Sequence, residues 1–79
     1  MADDPADFER RFRLELERTQ AVADELVGLT EAEARAVVGM EGDLSVRVVD
    51  ENGAITFDLS PHRVTLWMRD GRVVRTSAG

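Results

Sequence analysis

Residues 63–75 of the chain read RVTLWMRDGRVVR. From position 64 to position 68, Val, Leu and Met alternate with other side chains, a period of two that is typical of a β-strand. Asp70-Gly71 is a dipeptide that favours a tight hairpin turn, and residues 72–75 predict a short return strand. The second half of the chain is therefore predicted to contain a β-hairpin.

A second alternating segment, residues 44–49, predicts another strand upstream of this hairpin. Between the two lie residues 50–62, for which two interpretations are open. Asn52-Gly53 is a strong short-range hairpin signal, and local rules alone predict an antiparallel partner for residues 44–49, built from Ile55, Phe57 and Leu59. The other interpretation is an exposed loop, and it depends on the side chains discussed below.

Two helices are predicted before the strands. Apolar residues spaced three or four apart indicate a first helix that opens at Asp4-Pro5 and ends at Gly28. Residues 30–33, Thr-Glu-Ala-Glu, form a capping box that starts a second helix running to roughly Met40. The apolar face of the first helix consists of Phe8, Phe12, Leu16, Thr19, Ala23 and Leu26. A helical half followed by a strand half predicts an α+β fold.

Composition excludes several classes of function. The chain has 79 residues and a net charge of −6, which fits one small domain and argues against binding to nucleic acid or to anionic membranes. No cysteine is present, and the single histidine, His62, cannot form a multi-histidine metal site. The segment Asp50-Glu51-Asn52 lacks the ligand spacing of a calcium loop. We therefore expect no metal, no cofactor and no catalytic activity.

The N-terminal residues Met1-Ala2-Asp3-Asp4 are acidic, whereas a secretory signal begins with basic and then apolar residues. This predicts a cytoplasmic protein, unless a longer precursor is trimmed.

In the segment Thr56-Phe57-Asp58 a hydroxyl and a carboxylate flank a large apolar side chain, and Arg63 follows five residues after Asp58. With these residues the chain resembles the potato inhibitor I family of serine-protease inhibitors, the barley chymotrypsin inhibitor and eglin type. It also resembles the related small microbial elastase inhibitors that share this core. The matching segments, within about residues 26–79, are Leu26-Val27-Gly28, Glu33-Ala34, Val37-Val38, Ile55-Thr56-Phe57-Asp58-Leu59, Arg63-Val64, Val73-Val74 and Gly79.

The resemblance implies a substrate-like inhibitor with a small mixed sheet, in which residues 44–49 and 64–68 pair in parallel and the last strand returns antiparallel. It places Phe57 at P1 and Asp58 at P1′, which suits a serine protease of subtilisin or chymotrypsin type. The binding loop would comprise Ile55, Thr56, Phe57, Asp58 and Leu59.

The resemblance also implies the residues that support this loop, namely Arg63, Thr65 and Gly79. Two arginines of the strand after the loop usually do this in the family. Here Arg63 matches the first, Thr65 stands in the place of the second, and Ser60 stands where many members carry arginine.

We predict an inhibitor-like α+β domain over residues 29–79, with an exposed loop at 50–62, preceded by a helical extension over residues 1–28. The family does not explain the extension. Its apolar residues Phe8, Phe12 and Leu16 need a partner, because an isolated helix is marginal in water. They can pack on the same domain, form a homodimer or dock on a partner. The alternative function is accordingly a non-inhibitory interaction or dimerisation module on the same scaffold.

Overall fold

The computed structural model describes residues 5–55 and 60–79. Its elements are α1 (Pro5–Asp24), α2 (Glu31–Gly39), β1 (Ser45–Asp50), β2 (Arg63–Arg69) and β3 (Arg72–Ala78). Two helices followed by a small mixed sheet confirm the predicted α+β class, including its long N-terminal helix.

The sheet has the strand order β1-β2-β3. β1 and β2 are parallel, with Ser45 opposite Arg63, and β3 returns antiparallel to β2. Asp70 and Gly71 have φ values of 52° and 77° at the turn between β2 and β3. Positive φ at both central residues is what a type I′ hairpin requires. The predicted hairpin and the parallel pairing that the resemblance implies are both present.

One face of the sheet is buried by both helices. The core cluster is formed by Ala23, Leu26, Ala34, Val38, Val64, Leu66 and Val73. Thr19 and Ala23 of α1 are fully buried, so the C-terminal half of this helix packs on its own sheet. The N-terminal half is more exposed, with Phe8 at 62% and Leu14 at 55% of their full surface.

The predicted end of the first helix was wrong. α1 ends at Asp24, and Gly28 lies in a separate turn with a φ of 92°. The Gly28 N–H donates to Val73 O at 2.8 Å, so the chain has already left the helix to meet β3. Leu26 fits the apolar pattern of the first helix because it is buried in the same core, although it lies outside the helix.

The predicted capping box of α2 is confirmed. The Thr30 hydroxyl accepts from the Glu33 N–H at 3.2 Å, and the Glu33 carboxylate accepts from the Thr30 N–H at 3.0 Å. α2 ends at Gly39, with Met40 as its C-cap.

The face of the sheet away from the helices is called the outer face below, and its residues follow from strand alternation. Val64 and Leu66 point into the core, so their neighbours in β2 point outward. On β1 and β2 the outer face comprises Ser45, Arg47, Val49, Arg63, Thr65 and Trp67. Thr65 and Trp67 are nevertheless 0% and 5% exposed, so this face is covered. The Arg75 guanidinium contributes, 4.1 Å from the centroid of the Trp67 ring.

Candidate functional site

The candidate site is the long connection between β1 and β2. β1 ends at Asp50, opposite Met68, while β2 begins at Arg63, opposite Ser45. Because the two strands are parallel, the chain must return the full length of the pair between residues 51 and 62.

The first part of the connection turns back over the outer face. The Gly53 N–H donates to Asp50 O at 2.7 Å and closes a tight turn. A Cβ added at Gly53 would lie 3.3 Å from the Cβ of Val49 and 3.0 Å from Asp50 O. Val49 belongs to the outer face, so the chain starts its return across that face. Ala54 and Ile55 follow and are exposed.

The end of the connection is tied to α1 and to β1. The Thr19 hydroxyl, buried in α1, donates to Pro61 O at 2.6 Å. The Ser45 N–H donates to His62 O at 2.8 Å. His62 Nε2 also lies 3.1 Å from a Glu15 carboxylate oxygen. Three contacts from two different elements therefore hold the chain where it leaves the connection.

Arg63, Thr65 and Gly79 come together on the outer face, joined by Arg47. Thr65 Oγ1 donates to Gly79 O at 2.8 Å, and Arg63 Nε donates to the same oxygen at 3.3 Å. Arg47 Nε donates to Thr65 Oγ1 at 3.1 Å, and its terminal NH2 group donates to Gly79 O at 3.2 Å. This set of four residues is called the arginine cluster below. Two guanidinium groups from neighbouring strands thus meet at one backbone oxygen.

The predicted loop residues have different outcomes. Ile55 is 39% exposed. Thr56, Phe57, Asp58 and Leu59 lie outside the described residues. Arg47 belongs to the segment predicted as a strand and was not among the predicted site residues. Its signal appears once the parallel register is known, because that register sets Arg47 directly opposite Thr65.

An apolar groove lies between the N-terminal half of α1 and the end of the connection. It has a volume of about 400 Å³ and is lined by Phe8, Arg11, Phe12, Glu15, Pro61 and His62. The Phe8 and Phe12 rings are in contact, with centroids 6.5 Å apart.

Within residues 5–55 and 60–79, no three acidic, histidine or cysteine side chains cluster as metal ligands would. Neither α1 nor α2, the helices of the described chain, has the apolar length that crossing a bilayer needs.

The fold and the site define a class of protein: a small scaffold without disulfides that fixes both ends of a long connection between parallel strands. The model of the potato inhibitor I family matches residues 24–77, about two thirds of the chain. The chain belongs to the potato inhibitor I family, as its resemblance indicates. Membership implies serine-protease inhibition in general, and members of the family are inhibitors rather than enzymes.

The match begins where α1 ends, so most of the first helix lies outside it. No curated protein and no solved structure matches the chain significantly.

Proposed function

We propose that the protein inhibits serine proteases by offering residues 55–59 as a substrate-like loop, with Phe57 at P1 and Asp58 at P1′. The observation that carries this proposal is the fixation of both described ends of the connection. At one end the Glu51 N–H donates to Met68 O of β2 at 2.9 Å, and at the other Pro61 O accepts from the Thr19 hydroxyl at 2.6 Å.

Fixed ends explain how a substrate-like segment inhibits instead of being consumed. After attack on the peptide bond between Phe57 and Asp58, an ordinary substrate releases its amine fragment. Here the new amine would belong to a segment tied to α1 through Thr19 and Pro61. It would remain near the acyl-enzyme, where religation competes with hydrolysis. A preordered segment also binds more tightly, because it loses less conformational entropy on binding.

Phe57 defines the target class in this proposal. The pocket that receives P1 sets the specificity of serine proteases, and a large apolar pocket accepts phenylalanine. An aromatic ring buries on the order of 150–250 Å² and often anchors an interface. The proposed targets are therefore proteases of subtilisin or chymotrypsin type.

The test is a titration against subtilisin and chymotrypsin with variants at position 57. Phe57→Ala should raise the inhibition constant on the order of 10- to 100-fold, the loss expected for one buried aromatic side chain. Phe57→Arg should move inhibition towards a protease of trypsin type, whose pocket is acidic. Phe8→Ala is the matched control, because Phe8 is an exposed phenylalanine outside the proposed loop. Equal inhibition by the wild type and Phe57→Ala would contradict the assignment of P1.

A second candidate function is homodimerisation through Phe8, Phe12 and Leu16. The exposure of Phe8 and the apolar groove beside it favour this candidate. Sedimentation equilibrium should then show a dimer that Phe8→Ser dissociates. Leu14→Ser is the matched control, because Leu14 is 55% exposed but lies on another side of α1. A monomeric wild type would remove this candidate.

A further inference from the structure

We propose that Arg47 of β1 is a positioning residue for the connection between β1 and β2. Through Thr65 and Gly79 it fixes the outer face between the two described ends of that connection. The consequence for inhibition rests on the proposed function, whereas the effect on the order of the connection does not.

Along the outer face, Arg47 lies between the two described ends of the connection. At one end, Gly53 lies close to the side chain of Val49, which is the last outer-face residue of β1. The other end reaches Arg63, which lies opposite Ser45. Residues two apart on a strand share a face and lie roughly 7 Å apart. Arg47 is therefore midway along the outer face of β1, between the point where the chain starts back and the point where it arrives.

The contacts of Arg47 are suited to a fixed support. Its Nε and terminal NH2 groups donate to two different acceptors, at 3.1 Å and 3.2 Å. The fork of an arginine is planar, so two such bonds fix its orientation, which a lysine ammonium would not do. Thr65 is fully buried and Gly79 is buried, so neither acceptor can move without disturbing β2 or the end of β3.

The arginine cluster also concentrates positive charge on this face. Arg47 and Arg63 both donate to Gly79 O, which brings two guanidinium groups together. An acidic side chain of the connection would be attracted to this cluster, and the sequence places Asp58 in the connection. Arg47 thus supplies from β1 a second cation beside Arg63, at a position where β2 itself carries a threonine.

The experiment compares the wild type with Arg47→Met, Arg47→Lys and the control Arg72→Met. Arg72 is exposed and bonds to Gly28 O on the helical side, so its loss removes the same charge away from the connection. Amide hydrogen exchange of residues 51–60 is measured against exchange of β2 and β3. Inhibition constants and the rate of cleavage after Phe57 are measured in parallel.

Arg47→Met should accelerate exchange in residues 51–60 on the order of 10- to 100-fold, the effect of losing charge-assisted hydrogen bonds. β2 and β3 should keep their protection. Arg47→Lys should retain only part of the protection from exchange that arginine gives residues 51–60. Both Arg47 variants should be cleaved after Phe57 faster than Arg72→Met. Equal exchange in Arg47→Met and Arg72→Met overturns the inference. Acceleration spread evenly over the sheet also overturns it, because it indicates a purely structural role.

The two proposals fail separately in this experiment. If the wild type does not inhibit, but Arg47→Met still loosens residues 51–60 selectively, the proposed function fails and the role of Arg47 stands. If the wild type inhibits and Arg47→Met changes neither exchange nor inhibition, the role of Arg47 fails alone. Arg47→Lys keeps the charge at this site, so it provides the same comparison if Arg47→Met does not fold.

Discussion

The hydrogen bond from Thr19 to Pro61 joins the N-terminal helix to the end of the connection, and Thr19→Val removes it. Thr19 is 0% exposed, and its hydroxyl lies 2.6 Å from Pro61 O. Valine has a similar shape and a similar helix propensity, so α1 itself should be little affected. Pro61 O is partly buried, so its loss of the donor costs at most the roughly 1–3 kcal/mol of a buried unpaired acceptor, and the added methyl group offsets up to about 0.8 kcal/mol.

We therefore expect Thr19→Val to lower the free energy of unfolding by about 1–2 kcal/mol. For a domain of this size each kcal/mol corresponds to roughly 4–8 °C in Tm. The fluorescence of Trp67, the single tryptophan, reports the transition in urea or on heating, because its ring is 5% exposed in the folded protein. The midpoint in urea should fall without a change in the slope of the transition.

Thr19→Ser is the control that separates the hydrogen bond from packing, because it keeps the hydroxyl and loses only a methyl group. The amide of Arg63, which donates to Ser60 O at 3.4 Å, should exchange faster in Thr19→Val than in Thr19→Ser. A Thr19→Val variant as stable as the wild type, with unchanged exchange at Arg63, would refute the reasoning.

Two further predictions concern α2 and the hairpin turn. The hydrogen bond from the Thr30 N–H, with a smaller contribution from the Thr30 side chain, lowers the pKa of Glu33 below its usual value. The ionised Glu33 carboxylate therefore stabilises the folded state fully above its usual pKa, and this contribution is lost as the pH falls through the lowered value. Glu33→Gln should accordingly flatten the acid limb of a plot of the free energy of unfolding against pH. Gly71 has a φ of 77° and open space around its Cβ position, so Gly71→Ala should cost about 1 kcal/mol through backbone strain alone. Urea denaturation would measure it, and an unchanged midpoint would contradict the type I′ turn.

Local sequence rules succeeded where the interactions are local. The capping box at Thr30 and the turn at Asp70-Gly71 are decided by residues within four positions of each other. The same rules were misleading at Asn52-Gly53, where neither residue has a positive φ and the turn is not of type I′. Two similar dipeptides thus form different turns, because β1 pairs in parallel with β2 and local sequence does not encode that pairing.

The candidate site could be predicted only in part for the same reason. Arg63, Thr65 and Gly79 were singled out through the family resemblance, and the structure brings them together. Arg47 lies 18 positions before Thr65, and nothing in its own neighbourhood in the sequence distinguishes it from other polar strand residues. Its importance arises from the register between two strands, which is a property of the folded chain.

The parallel pairing of β1 and β2 has a consequence for the order of folding. β2 and β3 are joined by a two-residue turn, whereas the partners in β1 and β2 are 18 positions apart. Closing the larger loop between β1 and β2 loses more chain entropy before stabilising contacts form. We therefore expect the β2–β3 hairpin to form in the early nucleus and β1 to dock later. The segment proposed to meet the protease would then acquire its shape in the last step, and slow maturation after refolding would be its kinetic signature.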